Sequence, residues 1–233
     1  MLPFLALGAI AAIGTAVYKY YSSDNNNKNT NDSAEKNTES VHYLQSIAIW
    51  GRPNVGKTTF ISHLMKKPFS EEKIQTASKK TYKEIPPFYV DGKLYCFDQI
   101  IDMPGNVDRL DEWLIQSQKN KHVFYIFNIE KLGDKAYMRN VSSDIGKTME
   151  AMEKENVTGA KLHVIASHVD KSNFKDCDQA NIINEIMNSD EVRRIYEKLK
   201  GSLKGYFYGV NLTSSTDFDN LLSNIVKDIN ENR

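Results

Sequence analysis

The sequence predicts an α/β fold: a three-layer sandwich whose six-stranded, mostly parallel sheet has one antiparallel edge strand and is covered by helices on both faces. Three observations lead there. Apolar runs alternate with amphipathic stretches from Val41 onward, the pattern of parallel strands joined by helices. Asp91-Gly92 between two apolar runs reads as a tight hairpin, and Pro86-Pro87 confines the preceding run to a sheet edge. Finally, an apolar run, a glycine-bounded loop from Gly51 to Gly56 and an amphipathic stretch follow one another directly.

Taken in order, strands are expected at 45–50, 83–90, 93–101, 122–129, 161–167 and 205–210, and helices at 57–66, 110–119, 135–155, 179–200 and 217–230. Ile47, Ala48, Ile49 and Trp50 make a buried strand, and Phe60, Ile61, Leu64 and Met65 recur at helical spacing after the loop. In the last helix Phe218, Leu221, Leu222, Ile225 and Ile229 mark one core-facing stripe. In an open sheet of this kind ligands bind at the carboxyl ends of the strands, so the residues just after each strand carry the chemistry.

A chain of 233 residues, 40% hydrophobic and 26% charged, supports one well-buried domain with appendages. Thirty basic and thirty acidic residues cancel. No long-range electrostatic case for nucleic acid follows. Cys96 and Cys177 lie far apart and lack metal-ligand spacing, which suits a reduced compartment.

Residues 2–18 carry no charge, and Tyr18, Tyr20 and Tyr21 around Lys19 resemble an interfacial belt, so a transmembrane anchor is expected over 1–21. A cleaved signal peptide is the competing reading, but the basic segment that should precede the apolar run is missing. Lys19 and Lys28 follow the apolar run, which predicts a single-pass membrane protein with its folded domain on the cytoplasmic side. Residues 22–40 are polar throughout except for one alanine and read as a disordered tether, leaving 41–233 as the folded domain.

The stretch G-R-P-N-V-G-K-T from Gly51 to Thr58 completes a G-x-x-x-x-G-K-[ST] signature, the phosphate-binding loop of nucleotide-binding α/β domains. Its glycines let consecutive N–H groups approach phosphate without a Cβ in the way. Gly51, Arg52, Pro53, Asn54, Val55, Gly56, Lys57, Thr58 and Thr59 are therefore the candidate phosphate-binding residues. Lys57 brings charge to the β- and γ-phosphates, and Thr58 sets a hydroxyl where Mg²⁺ would sit, at a helix start that favours anions. After the third strand comes D-M-P-G, in which Asp102 can hold Mg²⁺ through water and Gly105 can offer its N–H to a γ-phosphate.

Together these motifs resemble the small GTPases of the Ras, Arf and Era superfamily, and G-R-P-N-V-G-K-T with D-M-P-G is most similar to the Era-type bacterial branch. The resemblance covers roughly 45–227. It implies a P-loop NTPase fold, GTP and GDP as ligands, Mg²⁺ as cofactor and an unidentified protein effector or activator. It also implies a switch threonine before the second strand, for which Thr81 is the first candidate and Thr76 the second. Lys57, Thr81 and Gly105 would then carry catalysis, with Thr58, Thr81 and Asp102 around the metal.

Ser167-His168-Val169-Asp170 stands where the family reads guanine, with Asp170 placed to accept from N1–H and N2–H and His168 in place of the usual lysine. Leu212 and Thr213 occupy the last base-contacting loop, through main-chain N–H groups. Asn54 matches an asparagine that binds K⁺ in some relatives, and Asn106 follows D-M-P-G with no role assigned by type. Slow intrinsic hydrolysis is expected, because family catalysis rests on positioning and charge neutralisation. The alternative is a non-hydrolysing nucleotide-binding scaffold that recruits a protein partner to the membrane, suggested by the departures at 167–169 and 211–213.

Overall fold

The strand that leads into the loop, Ile47–Trp50, is buried at every position, because the sheet is covered on both faces. The computed structural model describes residues 40–68, 78–155, 159–177, 181–200 and 204–231. Its strands are β1 (Val41–Leu44), β2 (Ile47–Trp50), β3 (Lys80–Tyr82), β4 (Phe88–Val90), β5 (Lys93–Phe97), β6 (Ile100–Asp102), β7 (His122–Asn128), β8 (Lys161–Ser167) and β9 (Lys204–Gly209). Its helices are α1 (Lys57–Leu64), α2 (Leu110–Lys119), α3 (Lys135–Lys154), α4 (Ile182–Met187), α5 (Asp190–Leu199) and α6 (Ser215–Asn230). Six strands run in the order β3-β6-β2-β7-β8-β9, parallel except for β3, which pairs antiparallel with β6 at the edge. This is the predicted sheet.

Side-chain alternation divides the core into two layers. Ile47 and Ile49 of β2 and Phe124 and Ile126 of β7 pack with Phe60, Ile61 and Leu64 of α1 and the Phe218–Ile229 stripe of α6. Ala48, Trp50, Val123, Tyr125 and Phe127 face the other way, onto Trp113 of α2, Met138, Val141 and Ile145 of α3, and the apolar sides of α4 and α5.

The edge is more complex than its sequence predicts. A three-stranded ribbon, β1-β5-β4, continues from the main sheet. Asp98 N donates to Leu44 O and Ile47 N to Gln99 O, each at 3.0 Å, so β1 with β2, and β5 with β6, are successive halves of bent strands. Of the expected strand at 83–90 only β4 forms, while a separate short strand, β3, precedes it at 80–82, and each is antiparallel to one half of the second bent strand. Pro86 and Pro87 between them have no N–H to give a ladder. The Asp91-Gly92 hairpin forms as predicted, with both residues left-handed at φ 49° and 75°. The first strand begins at Val41 rather than residue 45, because V-H-Y-L finds a parallel partner in β5 that only the fold supplies.

The helix expected over 179–200 is broken into α4 and α5, and its first two residues lie outside the described residues. Ser189 between them is extended, φ −76° and ψ 128°, which starts a new helix at Asp190.

The expected membrane location is corrected. Among the described residues no helix is long and apolar enough to cross a membrane, and the apolar run at 2–18 on which the expectation rested lies outside them, as do the tether at 22–39 and Thr76.

At the end of the sheet away from the loop, fully buried His163 sets Nδ1 3.0 Å from Tyr208 Oη and Nε2 3.4 Å from His122 Nδ1. Burial holds His163 well below its ordinary pKa, and His122 and Lys161 push the same way. The folded chain keeps it neutral, while the unfolded chain takes up a proton below about pH 6.5. Its contribution to stability is therefore complete above that pH and is lost as pH falls toward the depressed folded value. Urea unfolding at pH 7.5 and 5.5 should show a stability loss about 1 kcal/mol larger in the wild type than in His163→Phe. Equal losses in the two proteins would remove His163 as the cause.

Candidate nucleotide-binding site

The loop between β2 and α1 is held from four sides. At Gly51, φ is 142°, and a Cβ there would stand 2.1 Å from the Ile126 carbonyl oxygen, so only glycine fits against β7. Asn54 and Gly56 are left-handed, φ 61° and 91°. Such turns curl successive N–H groups into an anion-sized concavity. Gly56 is also the N-cap of α1 and has no side chain with which to cap it, and the first-turn N–H groups of a helix lack intrahelical partners and favour an anion.

Lys57 is 7% exposed, and its Nζ donates to Gly51 O at 2.7 Å and Arg52 O at 3.1 Å. Burial pushes its ammonium down to about 8, against the opposing pull of Asp102. Asp102 is itself 2% exposed and sits opposite Ile49, two residues before the loop begins. Thr58 is exposed on the first turn of α1. Hydroxyl and carboxylate oxygens are hard donors that suit Mg²⁺. No cluster of three or more His, Cys, Asp or Glu among the described residues could hold a metal alone, so phosphate and water would complete such a site.

The D-M-P-G segment lies directly on the loop. A Cβ on Gly105 would stand 2.9 Å from Pro53 N and 3.0 Å from Lys57 Nζ. The segment is fixed by a contact that no motif announces: Trp113 Nε1 donates to Pro104 O at 2.7 Å. The Trp113 ring, 1% exposed, lies 4.3 Å from that of Trp50, the residue before Gly51.

Arg52 leaves the loop on the other side. Its guanidinium pairs with Asp144 of α3 through Nε at 2.8 Å and Nη2 at 3.2 Å, and Tyr125 Oη donates to the same carboxylate at 3.1 Å. Burial alone would lower the Arg52 pKa, but the bond and charge of Asp144 outweigh it and hold it above its ordinary value. Sequence reading missed Asp144, which is 92 positions from its partner. The available signal was a carboxylate within the buried face of α3, beside Val141, Ile145 and Thr148.

The Ser167-His168-Val169-Asp170 segment meets the loop from the end of β8. Ser167 Oγ lies 2.8 Å from Val55 O, 2.9 Å from Phe127 O and 2.9 Å from His168 Nδ1. With the hydroxyl proton given to one of the carbonyls, Nδ1–H donates to Oγ. That fixes the neutral tautomer with its lone pair on Nε2. Burial, then Lys171, lower the His168 pKa, consistent with a neutral ring. His168 is left-handed at φ 61°, a conformation His tolerates better than most residues. Half-buried Asp170 follows in a short 3₁₀ turn. A Cβ on Gly56 would stand 2.8 Å from Leu212 Cδ1 and 3.9 Å from His168 Cε1, so the loops after β8 and β9 both close on the phosphate loop. Thr213 N and Oγ1 both donate to Asn211 Oδ1, at 3.0 and 2.7 Å.

Thr81 is not brought to this cluster. In β3 Lys80 stands opposite Asp102, and Thr81 stands opposite Ile101, on the other side of the pleat.

A mostly parallel α/β sheet with a glycine-bounded amide hollow, a buried lysine and a D-M-P-G segment at its carboxyl edge defines a P-loop nucleotide-binding protein. The sequence profile of the 50S ribosome-binding GTPase family matches residues 46–198, and the chain belongs to that family. No curated protein matches the chain.

Proposed function

We propose that this chain is a guanine-nucleotide switch that binds GTP and GDP with Mg²⁺ and hydrolyses GTP slowly unless a protein partner assists. The seating of Gly105 against Pro53 and Lys57 carries this reading, since it joins the third-strand motif to the phosphate loop. Lys57 and the loop amides would grip the β- and γ-phosphates, and Gly105 would offer its N–H to the γ-phosphate. Bound between Thr58 and Asp102, Mg²⁺ would neutralise phosphate charge. Asp170 would select guanine by accepting from N1–H and N2–H, with His168 stacked on the base and Leu212–Thr213 closing the pocket.

Asp170→Asn tests the base assignment. The amide turns an acceptor into a donor that suits the 2-oxo group of xanthine, so guanine preference should fall by about 10²-fold or more while xanthosine diphosphate gains. Unchanged preference for GDP would place base selection elsewhere.

Catalysis by positioning and charge neutralisation, which a partner can complete, supports low turnover without one, on the order of 10⁻⁴ to 10⁻² s⁻¹. Exposed Asn54, left-handed in the loop, is the proposed K⁺ ligand. Single-turnover hydrolysis should therefore rise when K⁺ replaces Na⁺, and rapid turnover in Na⁺ alone would contradict both statements. The family description names the 50S ribosome. With a formal net charge of zero, this chain has no long-range pull on RNA, and the partner proposed here is a protein.

A further inference from the structure

His63 belongs to none of the motifs, yet it joins the phosphate-side helix to the base-side loop. It lies on the second turn of α1, and its Nε2 is 2.7 Å from Leu212 O. A carbonyl only accepts, so Nε2 carries the hydrogen. Its ring stacks on Phe218 of α6 at 4.2 Å and 12°, which fixes the direction of that N–H. Burial lowers the His63 pKa, with the Leu212 bond and Asp219 opposing.

The Leu212–Thr213 peptide is thus held at both ends. Its oxygen is held by His63 and its N–H by Asn211 Oδ1 at 3.0 Å. Leu212 is 4% exposed, with its side chain packed over Gly56. The preceding Leu212 N–H therefore projects from a frame with little freedom.

We propose that His63 is a specificity-determining positioning residue: by holding the Leu212 carbonyl, it orients the Leu212 main-chain N–H toward the O6 acceptor of guanine. The proposal rests on the guanine-nucleotide reading above. An N–H donor favours the 6-oxo group of guanine over the 6-amino group of adenine, which is itself a donor. Asp170 would read N1–H and N2–H, further along the same edge of the base. His63 and Asp170 thus control separate atoms.

The test is a chemical double-mutant cycle on the full 233-residue chain, measuring affinities for GDP, 6-thio-GDP and IDP. In 6-thio-GDP sulfur, a weak acceptor, replaces O6, and IDP lacks the N2 amino group. Wild type should prefer GDP to 6-thio-GDP by about 3- to 10-fold, the worth of one good neutral hydrogen bond. In His63→Phe, which retains a ring on Phe218 but donates nothing, this ratio should fall toward one while the GDP:IDP ratio stays at its wild-type value. His63→Gln, which restores a donor without the ring, should recover part of the lost ratio. A GDP:6-thio-GDP ratio that is the same in wild type and His63→Phe overturns the proposal, as does an equal fall in both ratios, which would indicate a general loosening of the site. Wild type that binds none of the three ligands would instead overturn the guanine reading itself.

Discussion

Lys57→Ala is expected to weaken GTP and GDP binding by about 100-fold or more, the equivalent of losing charge-assisted hydrogen bonds to two phosphates. The effect should exceed that of any other single side chain in the loop. The lysine is both the cation and an internal strut, since its Nζ holds the carbonyls of Gly51 and Arg52. A second signature separates the two roles. Burial sets the ammonium near 8, whereas bound phosphate requires it charged. Wild-type affinity should therefore fall as pH rises above about 8, by up to about tenfold per unit, and Lys57→Ala should lack that fall. Titration with fluorescent GDP between pH 7 and 9.5 measures both. An alanine variant with wild-type affinity would remove the phosphate assignment from this loop.

The second large effect concerns stability. Asp144→Ala leaves the Arg52 guanidinium without its bidentate partner and Tyr125 Oη without its acceptor. Breaking such a pair costs about 3 kcal/mol, the low end of the range, because the Arg52 side chain remains 18% exposed. For a domain of this size the melting temperature should drop by roughly 6–12 °C. The double variant Arg52→Met/Asp144→Leu should recover part of that loss, because an apolar pair leaves no charge stranded while Tyr125 Oη still lacks its acceptor. A melting temperature unchanged in Asp144→Ala would show that water already satisfies Arg52. A double variant no better than the single would assign the loss to packing rather than charge.

The contrast between Lys57 and Asp144 shows what could be read from the chain. Lys57, Thr58, Asp102 and Gly105 are legible because each sits at a fixed offset within a short motif, and phosphate chemistry restricts which residue types can stand there. Asp144 and Trp113 act on the same loops from helices far along the chain, and local sequence carries no record of which carboxylate will meet which guanidinium. Thr81 marks a limit of another kind. Its place ahead of the second expected strand is legible, but its face is set by strand register, which pairs it with Ile101 rather than Asp102, and a one-residue step in a strand reverses the face.

The edge of the sheet follows the same logic. Pro86-Pro87 announced an interruption, and Asp91-Gly92 announced a hairpin, since both act through local backbone geometry. Neither could reveal that β1 would pair with β5 and extend the sheet beyond its six strands.

By itself, then, the sequence determined the layered α/β class and the place of the glycine-bounded loop between β2 and α1, and it supplied the residue types proposed to handle phosphate, metal and base. These depend on periodicity and on chemistry confined to a few neighbouring residues. Only the tertiary structure decided the partners of Arg52, the anchoring of Pro104 by Trp113, the face on which Thr81 lies and the bond from His63 to Leu212. Such contacts depend on strand order and helix placement, which bring together residues that the chain itself holds up to 149 positions apart.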